Sequence, residues 1–321
     1  MRPALRSGLV PLWRDRDTVQ LGIDSRRAVA LTGMGAAADV IDLLDGSRDR
    51  AQVITEAARL GVPATVTERL LALLAATGVL IDFPTATLRA IPDELRQQLG
   101  DEVAAAALYR ADADGGAQLL ARRAGTAVQV WGGGRIADLI AELLTTSGLA
   151  TLARPAGGRA GGGQRGGRSA SRTVPAPGLV IVVGWQPPEC LAALQRSRVP
   201  HLAVLASEAV GIVGPLVQPG TTACLRCLDH TRAERDAAWP LILAQLSSRG
   251  GDLPHCDATL ATAVAAQAAA QAIAFADHAP LAGATANGTL ELVLPSWQWR
   301  RRTWQPHPAC LCRTLACAGR S

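Results

Sequence analysis

The chain has 321 residues, 49% of them hydrophobic but only 3% aromatic, so any core is built from Ala, Val, Leu and Ile. It contains no lysine, and all 32 of its basic residues are arginine. That excludes a P-loop lysine, a Schiff-base lysine and any lysine contact to nucleotide phosphate. The net charge of +5 comes mostly from Arg159, Arg165, Arg168 and Arg172. No domain-wide basic face is implied, and nucleic acid is not the expected partner.

The opening stretch offers short β-like runs at Leu9–Trp13, Val19–Ile23 and Arg27–Thr32, separated by Asp-rich turn signals. Three helical patterns come next. The first places Ala37, Val40, Ile41 and Leu44 on one face and stops at Gly46. The second opens with Asp49 and Gln52 in capping-box spacing and stops at Gly61. The third opens with Thr65 and Glu68 at the same spacing, buries Val66, Leu70, Leu73 and Leu74, and stops at Gly78. A last run, Val79–Ile81, returns as a strand. Strands, three helices and a strand describe a winged helix. Its third helix carries Arg69 beside Glu68, too little positive charge for a DNA-reading helix.

Residues 85–122 read as a helical connector, amphipathic around Leu95, Leu99, Leu108, Leu119 and Leu120. Ala127–Trp131 is then a buried strand, followed by Gly132, Gly133 and Gly134 and a helix with Ile136, Leu139, Ile140, Leu143 and Leu144 on one face. Strand, glycine turn and helix open a nucleotide-binding α/β domain. The glycines can cradle phosphate at the helix N-terminus or simply make a tight turn. The ribose-binding acid expected about 20 residues on is missing, so the turn is read as a vestige of nucleotide binding.

Residues 155–178 hold eight glycines and four arginines with no acid, the composition of a disordered insert. Order resumes with strands at Leu179–Val183 and His201–Leu205. The charge-free run Ala258–Ala276 has Asp257 as its N-cap. It is read as a buried helix, because it is rich in Ala, Thr and Gln and poor in large apolar side chains. Strand-like segments at Thr289–Leu294 and Trp297–Trp304 lead to the last cysteines. The tryptophans there are expected to pack the sheet. His255, Cys256 and Asp257 tempt one towards a cysteine nucleophile, but an N-cap acid and a small cysteine are ordinary before a helix.

Seven cysteines, an odd number in close pairs, point to metal in a reducing cytoplasm. Cys224-x-x-Cys227 turns both sulfurs to one point, and Cys310-x-Cys312 sends both side chains to one side of extended chain. Together they predict a structural zinc site, with Cys317 or His307 able to replace Cys310 or Cys312. Arg226 and Arg313 stand beside it to offset negative charge.

The run from Gly211 through Gly214, Pro219-Gly220 and Cys224 to Cys227-Leu228 resembles the ThiF/MoeB superfamily. There a strand with a G-x-x-G-like segment leads through a Pro-Gly turn into the first zinc pair. The glycine turn and the distal cysteines come in matching order, so the resemblance spans residues 105–315. Cys224-Leu-Arg-Cys227-Leu-Asp with Arg232, Arg235 and Trp239, and His307-Pro-x-Cys310-x-Cys312, look most like the leader-peptide-binding proteins of thiazole/oxazole-modified peptide biosynthesis. Residues 1–84 resemble their PqqD-like recognition domain. Adenylating members hold Mg-ATP with an acid after the second strand, an Arg, a Lys and an Asp after the fourth. Here the lysine is missing and the fourth strand ends Val183-Gly184-Trp185-Gln186.

The resemblance implies a Rossmann-like α/β domain at 123–321 with a mainly parallel sheet. It implies a non-catalytic scaffold that binds the leader region of a precursor peptide and docks a YcaO-type cyclodehydratase. The alternative is an ATP-dependent adenylating enzyme. A homodimer is implied, and neither bound ATP nor a membrane is expected. Peptide capture would add a strand at Arg27–Thr32, using Arg27, Val29 and Leu31, beside Val66, Arg69, Leu70 and Leu73 of the helix Thr65–Thr77.

Overall fold

The computed structural model describes residues 1–83, 97, 99–109, 116–152, 177–248, 256–278 and 283–312. The chain divides into two compact units, Met1–Ala121 and Arg122–Ser321. The Gly/Arg-rich segment, Leu95, His255, Arg313 and Cys317 lie outside the described residues, apart from the last two positions of that segment.

The first unit is a small α/β arrangement. Strand β1 (Pro3–Leu5) pairs antiparallel with β5 (Leu80–Asp82), while β2 (Pro11–Trp13), β3 (Val19–Leu21) and β4 (Val29–Leu31) form a three-stranded antiparallel sheet. The first helical segment, Gly35–Leu43, is a 3-10 helix that buries Ala37, Ala38, Val40 and Ile41. Helix α1 (Arg50–Arg59) opens on the capping box read from the sequence. Asp49 Oδ1 accepts the Gln52 amide at 2.9 Å, and Gln52 Oε1 accepts the Asp49 amide at 2.8 Å.

Helix α2 (Ala64–Ala76) departs from its expected cap and face. Pro63 stands at its N-cap with no side-chain bond. Its buried stripe is Thr67, Leu70, Leu71 and Leu74, a clean i, i+3, i+4, i+7 set. Val66 and Leu73 are exposed. Thr67 can be buried because its Oγ1 donates back to the Pro63 carbonyl at 3.3 Å. Helix α3 (Gly100–Tyr109) comes next, and α4 (Ala117–Gly125) carries the chain across the division between the units.

The second unit is built on a seven-stranded sheet. Its strands are β6 (Ala127–Trp131), β7 (Ala150–Leu152), β8 (Leu179–Val183), β9 (His201–Ser207), β10 (Val210–Val217), β11 (Gly288–Val293) and β12 (Gln298–Thr303). The spatial order is β12-β11-β10-β9-β8-β6-β7. The three pairings among β7, β6, β8 and β9 are parallel, and the three from β9 to β12 are antiparallel. The sheet is therefore mixed, half Rossmann-like and half meander.

Helix α5 (Arg135–Thr146) and helix α9 (Ala258–Ala276) pack one face of this sheet. Asp257 caps α9, its Oδ1 accepting the amides of Thr259 and Leu260 at 2.8 and 3.0 Å. The length and apolarity of α9 would suit a membrane span. Its Leu260, Val264, Ala265, Ala268 and Ala272 are instead fully buried against β9, β10 and α5. Gly211 on β10 exists for that contact, because an added Cβ would sit 2.3 Å from Val264 Cγ2. The other face of the sheet carries α6 (Pro188–Arg196), which packs Leu194 against Val180 and Val182. Of the tryptophans at the end of the sheet, Trp304 is buried, whereas Trp297 and Trp299 remain exposed at 46% and 36%.

A four-thiol centre and the neighbouring candidate sites

The chain leaves β10 through the turn Gln218–Thr222, and two side chains lock its path into the first cysteine pair. Thr222 Oγ1 accepts the Gln218 amide at 2.8 Å, and Asn287 Oδ1 accepts the Ala223 amide at 2.7 Å. Cys224 then caps helix α7 (Leu225–Ala233) in extended geometry, and its carbonyl accepts the Cys227 amide at 2.9 Å. From the far end of the sheet, β12 delivers Trp304, whose indole N–H donates to Thr289 Oγ1 at 3.0 Å. The turn beyond it brings in Cys310, its amide bonded to the His307 carbonyl.

The four sulfurs converge. Cys224 lies 3.7 Å from Cys227 and 3.6 Å from Cys310, and Cys227 lies 3.5 Å from Cys312. All four sulfur atoms fall within 4.8 Å of one another, and every one of these residues is at least nine-tenths buried. Four ligands at ~2.3 Å from one ion span tetrahedral edges of ~3.8 Å. The closest separations match that edge and are far too long for disulfides. The arrangement can hold a metal ion. The Cys227 thiol is pulled down to about 4, first by the hydrogen bond from Cys224. Cys224 is pushed up by that same bond and by burial, and Cys312 rises to about 12, chiefly through burial. A cation bound here would hold all four sulfurs as thiolates.

His307 is not part of this set. Its Nδ1 accepts the Ala309 amide at 3.2 Å, so Nε2 carries the hydrogen that reaches Glu234 Oε1 at 2.9 Å. The ring stacks on His230 at 5.0 Å. Arg226 is exposed, as expected of a surface charge beside the centre.

At the glycine turn, Gly132 has φ 109° and Gly134 caps α5 at φ 77°. A Cβ on Gly132 would lie 2.5 Å from the Val183 carbonyl oxygen, so close approach of β6 to β8 accounts for this residue. Gly133 and Gly134 face open space.

The residues expected to capture a peptide separate into two groups. Leu31 and Leu70 belong to the first unit's core, at 4% and 6% exposure. Arg27, Val66, Arg69 and Leu73 are exposed, and Val29 is half-buried. Arg27 Nη1 donates to the Leu108 carbonyl at 3.1 Å. Cys256 is half-buried, and burial first, then Asp257, raises its thiol above the ordinary value, the reverse of an activated nucleophile.

Two further features carried no pattern that local sequence would flag. One is a buried ion pair, Arg123 to Asp277. The other is the set of contacts among Asp229, Arg232 and Trp239: all three residues stand in the sequence signature, but their convergence on one another does not show there.

Among solved structures the chain is similar to a heterocyclase in complex with substrate and cofactor, at 17% identity and TM-score 0.64, covering 94% of this chain and 38% of that one. It is similar to the heterocyclase TruD at 16% identity and TM-score 0.62, covering 98% and 42%. It is similar to E. coli MccB with ATP at 13% identity and TM-score 0.61, covering 97% and 99%. The chain thus spans about two fifths of the heterocyclases and nearly all of MccB. These likenesses establish a shared α/β fold. No protein-family model and no curated protein matches the sequence.

Proposed function

We propose that this chain is a non-catalytic scaffold that binds the leader region of a precursor peptide and presents it to a partner cyclodehydratase of the YcaO type. The single observation that carries this reading is the fold likeness to the heterocyclases over 94–98% of this chain. A structure of E. coli MccB with MccA, at TM-score 0.59 and 14% identity, adds a second fold relative whose complex includes its own partner.

In this reading residues 1–84 of the first unit form a PqqD-like winged helix. The edge of β4, paired only with β3 among the described residues, accepts the peptide as an added strand. Val66 and Leu73, exposed seven residues apart on α2, receive its apolar side chains, with Arg69 between them. Leu31 and Leu70 support the groove from beneath. The second unit is a ThiF/MoeB-like body that pairs as a homodimer. Zinc is the ion that suits four thiolates in a closed tetrahedral site, where it ties the 310–312 turn to helix α7 and leaves no position open for substrate.

The test is fluorescence anisotropy of the full chain with labelled leader segments of candidate precursor peptides. Binding in the micromolar range or tighter is expected, with a loss of at least tenfold in Val66→Glu and Leu73→Glu. Unchanged binding in both variants would overturn the placement.

Adenylation is the second reading, favoured by the end-to-end match to MccB with ATP. Pyrophosphate exchange with ATP by the chain alone separates the two: none is expected of a scaffold, and robust exchange would establish the enzyme.

A further inference from the structure

A cavity of 530 Å³ opens on the face of the sheet that carries α6. Helices α6 and α7 and helix α8 (Trp239–Ser248) wall it. Val182, Ala203, Leu205 and Ile212 line its floor. Trp185, Leu191, Leu228 and Leu243 make its sides apolar. Its size falls within the range of small-molecule sites, about 300–1,000 Å³.

One cluster of its polar groups centres on Arg232. The guanidinium centre lies 4.9 Å from the Trp239 ring and 5.6 Å from the Trp304 ring, so two indoles fix its orientation. One N–H reaches Asp229 Oδ1 at 3.4 Å, and that oxygen also accepts the Trp239 indole N–H at 3.1 Å. The remaining N–H groups of Arg232 and the second oxygen of Asp229 take no hydrogen bond among the described residues. Both side chains line the cavity and retain about a quarter of their exposure, 26% and 25%.

A held guanidinium beside a carboxylate, each with unspent hydrogen-bonding capacity, selects a ligand that brings both charges. A carboxylate alone would meet Asp229 as a like charge, and an amine alone would meet Arg232. A zwitterion satisfies both and leaves the site neutral. The surrounding charges do not break that balance: Glu189 and Arg226, which also line the cavity, carry opposite charges, and Arg302 over Trp304 is offset by Glu291. We propose that this cavity binds a free apolar α-amino acid, its carboxylate on Arg232, its ammonium on Asp229 and its side chain against Trp185, Leu191 and Leu243. The site lies wholly within the second unit and does not depend on peptide capture by the first.

Isothermal titration of the metal-loaded full chain with L-tryptophan, 3-indolepropionate and tryptamine tests it. L-tryptophan should bind, and each analogue, lacking one charge, should bind about tenfold or more weakly. Arg232→Met and Asp229→Asn should each lower L-tryptophan affinity by about 10–100-fold. Leu243→Trp fills the cavity without touching the ion pair and should abolish binding while the thermal melt is retained. The inference is overturned if L-tryptophan gives no heat up to millimolar concentration, if either analogue binds equally well, or if the filled cavity still binds. Leader-peptide anisotropy on the same variants should not change, so failure here and failure of the scaffold reading are told apart.

Discussion

Removing the metal from the four-thiol centre should destabilise the second unit by an amount set by free metal concentration. Cys227 and Cys310 stand 83 positions apart, yet both contribute to a cluster in which all sulfurs lie within 4.8 Å. An ion that binds this cluster and not the unfolded chain stabilises by about 1.4 kcal/mol for each tenfold rise in its concentration above Kd, or about 4 kcal/mol at a thousandfold excess. The second unit, Arg122–Ser321, falls in a size range where 1 kcal/mol moves the midpoint by about 2–4 °C. The same thousandfold range should therefore shift its melt by about 8–16 °C. The assay is a series of thermal melts in zinc buffered by chelators, with elemental analysis for stoichiometry. Cys310→Ala should need much higher free zinc to reach the same midpoint. A midpoint flat across three decades of zinc would refute the metal and leave four packed thiols.

Arg123 and Asp277 are 1% and 2% exposed and joined by bonds of 2.9 and 3.0 Å, while Arg123 also donates to the Ser147 carbonyl at 3.0 Å. Arg123→Met should cost about 3–5 kcal/mol in a urea titration by stranding a buried carboxylate, and adding Asp277→Leu should recover most of it. A single-variant loss below about 1 kcal/mol would count against that account. Gly211→Ala should cost about 1–3 kcal/mol by overpacking against Val264, and Val264→Ala should relieve it. His201 is 1% exposed, and burial depresses its pKa below the ordinary 6.5, with its bond to the Val199 carbonyl opposing. Below that ordinary value the unfolded chain takes up a proton the folded chain refuses. Stability is therefore intact above it and lost as pH falls towards the folded pKa. His201→Gln should flatten this acid limb, as read from melts at stepped pH.

The sequence made most of the second unit legible because its signals are local. The uninterrupted run Leu179–Val183 can only be a strand buried on both faces, and it is. Asp257 before an unbroken Ala-rich stretch marks the start of α9, and the Asp49–Gln52 pair marks that of α1. The cysteine spacings announced the thiol cluster because such chemistry leaves little freedom in sequence. What failed was longer in range or finer in angle. Strand β1 has three residues and pairs with the distant β5, Pro3 against Asp82, so no local pattern reveals it. On α2, Val and Leu outscore Thr67 in hydrophobicity, yet packing turned the helix about one position and buried the threonine. The cavity around Arg232 draws on four strands and three helices, and only their assembly defines it.

Every residue of β12 is exposed, and three successive arginines, 300 to 302, stand on this outer strand. An unprotected margin of that kind would invite another copy to zip onto it. Two copies laid side by side in opposite directions would bring guanidinium against guanidinium, a repulsion that grows as salt is diluted. The register that aligns Arg300–Arg302 of two copies is therefore the one this rim disfavours, most of all in dilute salt.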